Sequence, residues 1–164
     1  MKLVVENKFF SLGGGSRVKA ENGDEVYKVK GKVFSPTHKK KIYDMQGNLL
    51  YEVRNKWFNW LHHTAFIYNA DGELIGKISK RKITVGNDFQ LEDFEDEYKI
   101  TGKIVGWKFK IVKNDQEVGV ITRNFTFHID KFTLETEDAE NARLFVAMII
   151  GIDNITDKRE KERN

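Results

Sequence analysis

The sequence predicts a mainly β (α+β) fold: a closed antiparallel barrel of about twelve strands around a central hydrophobic C-terminal α-helix. Three observations carry that expectation. The chain repeats itself, with YKVKGKV at 27–33 returning as YKITGKI at 98–104. Turn signals recur between short alternating stretches. A single run, Leu144-Phe145-Val146-Ala147-Met148-Ile149-Ile150-Gly151-Ile152, is apolar at every helical phase.

A second repeated unit, a basic residue followed by x-Phe-polar-apolar, occurs as KFFSL at 8–12, KWFNW at 56–60 and RNFTF at 123–127. Period two places Phe10, Phe58 and Phe125 on one strand face with Leu12, Trp60 and Phe127, and turns Ser11, Asn59 and Thr126 outward. In the longer repeat Tyr27, Val29, Gly31 and Val33 share one face and Lys28, Lys30 and Lys32 the other. Gly31 and Gly102, at matching points, predict a bend or a close backbone approach. Repeats of this length predict one domain over 1–156 built from two similar halves.

The turns fall at Glu21-Asn22-Gly23-Asp24, Met45-Gln46-Gly47-Asn48, Ala70-Asp71-Gly72-Glu73 and Asn114-Asp115-Gln116-Glu117. Glycine or asparagine supplies the positive φ that tight hairpins need; the last turn lacks glycine and depends on Asn114 or Asp115. The acidic stretch Glu92–Glu97 reads as a solvated hairpin turn, since it lacks the alternating ligands and central glycine of a calcium loop.

A helix is expected over 139–153, with Glu137, Asp138 and Glu140 at its positive end. A helix apolar all round has to be surrounded on all sides, by lipid or by a closed sheet. Its apolar run covers about 14 Å, against roughly 30 Å of bilayer hydrocarbon. Enclosure inside a barrel is therefore the expectation, and the chain is not transmembrane. Residues 157–164 are expected to form a charged, solvated tail.

Composition limits the function. The 28 basic and 25 acidic residues leave a net charge of +3, too balanced for a nucleic-acid binder. The 164 residues suffice for a core without metal or disulfide, and there is no cysteine. With no signal-peptide pattern after Met1, the expected location is cytoplasmic, peripheral to the membrane if lipid is bound.

The KFFSL opening, VYKVKGKVF at 26–34, the IYDMQGNLL and IYNADGELIGKI hairpins and the closing MIIGIDNITDKR resemble the LURP-one-related proteins. These are the bacterial YxjI-type members of the tubby C-terminal-like superfamily. The resemblance covers roughly 7–156 and implies the same twelve-stranded barrel around a hydrophobic helix. Tubby-like relatives bind phosphoinositide headgroups through basic residues, and phospholipid scramblases are distant relatives, so the resemblance also implies a lipid-binding role. It carries no catalytic motif.

Candidate lipid-binding residues are Lys39, Lys40 and Lys41 after the single proline, Lys80, Arg81 and Lys82 after the third hairpin, and Trp57. Trp57 shares the outward phase of Phe9 and Asn124. The plain alternative for the lysines is a solvated rim, because consecutive strand residues alternate faces; for Trp57 it is a loop-covered rim aromatic. His62-His63 cannot chelate one ion from opposite faces, and His38 and His128 add no ligand spacing, so no metal is expected. Gly13-Gly14-Gly15 precedes a strand and not a helix, which excludes a phosphate-binding loop. No nucleophile–base pair is present and no cofactor is expected. The sequence thus points to a non-enzymatic binding module for anionic phospholipid headgroups or the membrane surface. The alternative is a structural or protein–protein interaction domain.

Overall fold

The structure is a computed structural model that describes residues 1–8, 15–31, 35–57, 62–81, 89–103, 108–126 and 129–162. Twelve strands follow one another: β1 (Lys2–Lys8), β2 (Ser16–Ala20), β3 (Glu25–Gly31), β4 (Lys40–Tyr43), β5 (Leu49–Asn55) and β6 (His62–Asn69). Then come β7 (Leu74–Arg81), β8 (Gln90–Glu92), β9 (Tyr98–Lys103), β10 (Lys108–Lys113), β11 (Gln116–Thr126) and β12 (Ile129–Thr136). One helix, α1 (Ala142–Glu162), ends the chain.

The strands form one antiparallel sheet in the order β8-β7-β6-β5-β4-β3-β2-β1-β12-β11-β10-β9. Each strand therefore pairs with its neighbour in sequence, and β1 joins β12 in register from Lys2↔Glu135 to Lys8↔Ile129. The remaining seam, between β8 and β9, is joined by the bridge Phe89↔Ile100. The sheet is thus a nearly closed barrel, which removes most of the edge that an open sheet would expose.

Local chemistry sets the hairpins at one end. Gly23, Gly47 and Gly72 have φ of 91°, 91° and 85°, and both Asn114 (48°) and Asp115 (64°) are left-handed. That is the double positive φ of a tight two-residue hairpin, reached here without glycine. The acidic stretch is the β8–β9 turn, with Asp93 at φ 66°.

Alternation sorts the side chains. Leu3, Val5, Val18, Val29, Ile42, Val53, Ala65, Ile67, Ile78, Ile100, Phe109, Ile111, Ile121, Phe132 and Leu134 face inward and are buried. In β3, Val29 is inward while Lys28 and Lys30 are exposed, and in β9 Ile100 is inward while Lys99 is exposed. The repeats at Tyr27 and Tyr98 thus lie on strands six apart in chain order, at the same phase. Gly102 does sit where a Cβ would strike the Lys108 carbonyl and Phe109, a close backbone approach. The inward phase of the other repeat (Phe10, Leu12, Phe58, Trp60, Phe127 and the Phe125 side chain) falls outside the described residues.

The helix fills the barrel. Phe145, Val146, Ala147, Met148, Ile149, Ile150 and Ile155 have no exposed surface. Each of these side chains larger than alanine contributes roughly 1.5–3 kcal/mol by leaving water. Gly151 lets the helix approach one wall closely, since a Cβ there would lie 3.1 Å from Ile78 and 3.4 Å from Ala65. The helix differs from expectation at both ends. It starts at Ala142, because Asp138 accepts hydrogen bonds from the Asn141 backbone and side chain and holds 138–141 in a cap. It also runs through the charged stretch to Glu162 instead of ending at 153, because Asp157–Glu162 carries good helix formers and no breaker.

Two outcomes follow from this packing. Val146→Asp would place an unpaired charge in the lumen, and no cooperatively folded protein is expected by circular dichroism or thermal melting. Gly151→Leu should cost about 1–3 kcal/mol in a urea titration, because the wall formed by Ala65 and Ile78 has to move.

Candidate functional site

The connections of the barrel put its functional groups at two places: the outer face of β2–β5 and the mouth opposite the tight hairpins. The strand ends at the mouth include Ser16, Gly31, Lys40, Asn55, His62 and Arg81, and α1 runs toward it from the hairpin end.

On the outer face, β2, β3 and β4 align like charges. Arg17 lies directly across from Lys28, and Lys30 directly across from Lys41. Like charges at facing positions destabilise a sheet, so their accumulation calls for a compensating partner. The local carboxylates are few. Arg17 bonds Glu25, while Glu52 alone serves Lys39 at 2.8 Å, Lys41 at 3.8 Å and Arg54 at 3.8 Å. Among the described residues Lys28 has no carboxylate partner, and the Lys30 ammonium stands 5.1 Å from the Tyr43 ring. Arg54 stacks 4.1 Å from the Tyr68 ring. At the β1 border Glu6 is taken up by Lys19 (3.0 Å) and Lys131 (3.2 Å).

The mouth is lined from inside by polar groups. Ser16, Asn55, His63, Thr64, Lys80, Arg123, Asp153, Asn154 and Thr156 are buried. Lys40 points inward and pairs with Asp153, itself 1% exposed, at 3.0 Å. Asn154 donates to the His38 carbonyl, Asn55 donates to the Asn154 carbonyl, and the Asn55 amide donates to the Thr37 carbonyl. These bonds tie the 35–39 turn to the helix. Lys80 is 2% exposed with its ammonium 4.9 Å from the Phe89 ring, and Arg123 stands 5.3 Å from the Phe132 ring. Such cation–π contacts offset part of the cost of burying charge.

The sequence-predicted residues therefore separate. Lys39 and Lys41 lie on the outer face, Lys40 and Lys80 inside, because the first pair is out of phase with the core residue Ile42 and the second pair is in phase with Ile42 and Ile78. Lys40 and Lys80 therefore do not share the outer face with Lys39 and Lys41. The Arg81 side chain and Lys82 lie outside the described residues. Trp57 is 67% exposed, at the mouth just beyond β5, next to exposed Lys56. His63 is buried in the inward phase, and the His62 side chain is outside the described residues. Arg17, Lys28 and Lys30 were missed as site residues, although the sequence alternation had already put Lys28 and Lys30 on one face. What the sequence lacks is the register that places them beside Arg17 and Lys41. Arg123 was missed as an interior charge; its phase with Ile121 was the available signal.

An open groove of about 470 Å³ lies elsewhere, at the hairpin end between β11 and β12. Its lining includes Glu117, Glu135 and Glu137, the wrong sign for an anionic ligand. Among the described residues no group of three or more His, Asp or Glu is placed to hold a metal ion, and no helix is long and apolar enough to cross a membrane.

A meander barrel closed by its first and last strands and filled by a C-terminal helix, with chemistry carried on outer faces and rims, defines the class. The LURP-one-related family model matches residues 1–153, and the chain belongs to that family. A crystal structure of an Arabidopsis thaliana protein superposes with a TM-score of 0.54 at 13% identity, over 92% of this chain and 91% of that one, and shows the same fold. No curated protein sequence matches the chain.

The site geometry fixes two measurable consequences. Lys40→Met takes the Lys40 ammonium away from buried Asp153 and should cost about 3 kcal/mol, while Lys40→Met with Asp153→Leu should recover most of that loss. Lys19, and less strongly Lys131, hold the Glu6 carboxyl below its ordinary value against the opposing effect of burial. A lowered folded-state pKa gives stability that is present above the unfolded value, about 4.3 for glutamate, and is lost as pH falls through the lower folded value. Glu6→Gln should therefore be less stable than the wild type by under about 1 kcal/mol at neutral pH, with the gap closing in acid.

Proposed function

We propose that this barrel is a non-enzymatic binding module that engages anionic phospholipid headgroups at a membrane surface. The observation that carries the reading is the outer β2–β5 face. Two like-charge pairs, Arg17↔Lys28 and Lys30↔Lys41, stand directly across the sheet, and Glu52 is shared among three cations. A layer of phosphate groups would relieve that repulsion. Each lysine or arginine near an anionic bilayer contributes about 1 kcal/mol, an upper bound before orientation costs. The resemblance to lipid-binding tubby-like proteins points the same way. A purely protein-binding surface would be expected to carry an apolar centre, and this flank has rings covered by cations instead.

Sedimentation with vesicles of graded phosphatidylserine content, at two salt concentrations, tests the reading. Binding should grow with anionic content and fade with salt, because attraction between exposed charges is screened beyond about 8 Å at physiological ionic strength. Changing Arg17, Lys28, Lys30 and Lys41 to Gln should abolish pelleting with little change in melting temperature. Lys99→Gln with Lys110→Gln, on the opposite wall, should leave it intact. Failure of the wild type to pellet with strongly anionic vesicles at low salt would overturn the lipid reading in favour of a protein partner.

A further inference from the structure

The two ends of the barrel have opposite chemistry. At the hairpin end the turns 21–24, 44–48, 70–73, 93–97 and 114–115 and the helix entry 137–141 hold more than half of the chain's 25 carboxylates and no lysine or arginine. Phe94 is their sole aromatic residue. Among the described residues of the stretches that join strands at the mouth are Trp57, Lys39 and Lys56, and no carboxylate. Trp57 is 67% exposed. Trp57 also lies three residues beyond Arg54, so the mouth and the basic β2–β5 flank meet at one corner.

We propose that the barrel docks on an anionic bilayer mouth-down, on the corner where the β2–β5 flank meets the mouth, with Trp57 in the headgroup region and the hairpin end facing away. The proposal rests on the lipid reading above and adds the orientation. Tryptophan prefers the interface between headgroups and acyl chains, where its ring is half-buried and its N–H stays wet. Most strands are five to eight residues long, which holds the two ends roughly 20 Å apart, about two Debye lengths at physiological salt. With the mouth down, the carboxylates are screened from the lipid charge; with the hairpin end down, they would face it directly. Flat docking by the flank alone would leave Trp57 in water.

The chain has no cysteine, so single labels report orientation. An environment-sensitive fluorophore is placed at Lys56→Cys, beside Trp57, or at Ala70→Cys, in an exposed hairpin turn, and the full chain is mixed with phosphatidylserine vesicles. The label at 56 should shift to the blue and be quenched by shallow brominated lipid, and the label at 70 should do neither. Trp57→Ala should lower vesicle affinity severalfold without changing the salt dependence. Vesicle binding with neither label perturbed, or with the label at 70 perturbed, overturns the mouth-down orientation and leaves the lipid reading standing. No binding by any variant or by the wild type overturns both.

Discussion

A helical stretch with no polar face, residues 145–152 of α1, governs this molecule. Phe145 through Ile150 leave no phase of α1 that tolerates water, so the sheet has to surround it. That requirement explains why β1 pairs with β12 along its whole length, a contact between the two ends of the barrel-forming sequence. It also explains Gly151, where the absence of a side chain lets the helix lie against β5–β7. Pairing of such distant segments carries a loop-closure cost before it gains anything. The buried helix surface is what makes the closed arrangement favourable.

Enclosure has a consequence for charge. Every strand that alternates puts half its residues inside, and toward the mouth the inward positions include Lys40, His63, Lys80 and Arg123. Each described cation there is met by something specific: Asp153 on the helix for Lys40, the Phe89 ring for Lys80, the Phe132 ring for Arg123. The Lys40–Asp153 pair and the Asn55–Asn154–His38 chain couple the helix to the 35–39 turn. A buried ion pair is weak support for stability by itself, because desolvation opposes the Coulomb gain. Its effect here is positional: it fixes the rotation of the helix against the rim.

The fold was legible because its signals are periodic and local. The phase of Val29 against Lys28, the glycines of three hairpins and the unbroken apolar run each have a single physical reading. The helix end was not, since Asp157–Glu162 looks like a solvated tail by composition while its residues are good helix formers. The site was legible only in part. Counting lysines in Lys39-Lys40-Lys41 and near Lys80 found charge, but alternation sends Lys40 and Lys80 inward. Arg17 and Lys28 become neighbours through the β2–β3 pairing, and Lys30 and Lys41 through the β3–β4 pairing. Register across strands is set by turns and packing, which one segment of sequence does not carry.

The filled lumen also decides where a ligand can be held. A barrel that carries small molecules needs interior space, and here the side chains of α1 and the inward strand residues occupy it, with the core aliphatics at zero exposure. Recognition is thereby pushed to the outer faces and the rims. Of these, the hairpin rim is acidic and its groove is lined by Glu117, Glu135 and Glu137. On the β9–β11 wall Lys99 pairs with Glu97 and Asp115, Lys110 with Glu117 and Lys113 with Asp96, and a single like-charge pair, Lys103↔Lys108, faces across the sheet. The β2–β5 flank carries two facing like-charge pairs within three strands, and it adjoins exposed Trp57. A surface whose own repulsion is relieved by a ligand gains from binding what the free protein forgoes in stability. That imbalance, set by the register of β2, β3 and β4, is the physical ground for proposing the binding face there.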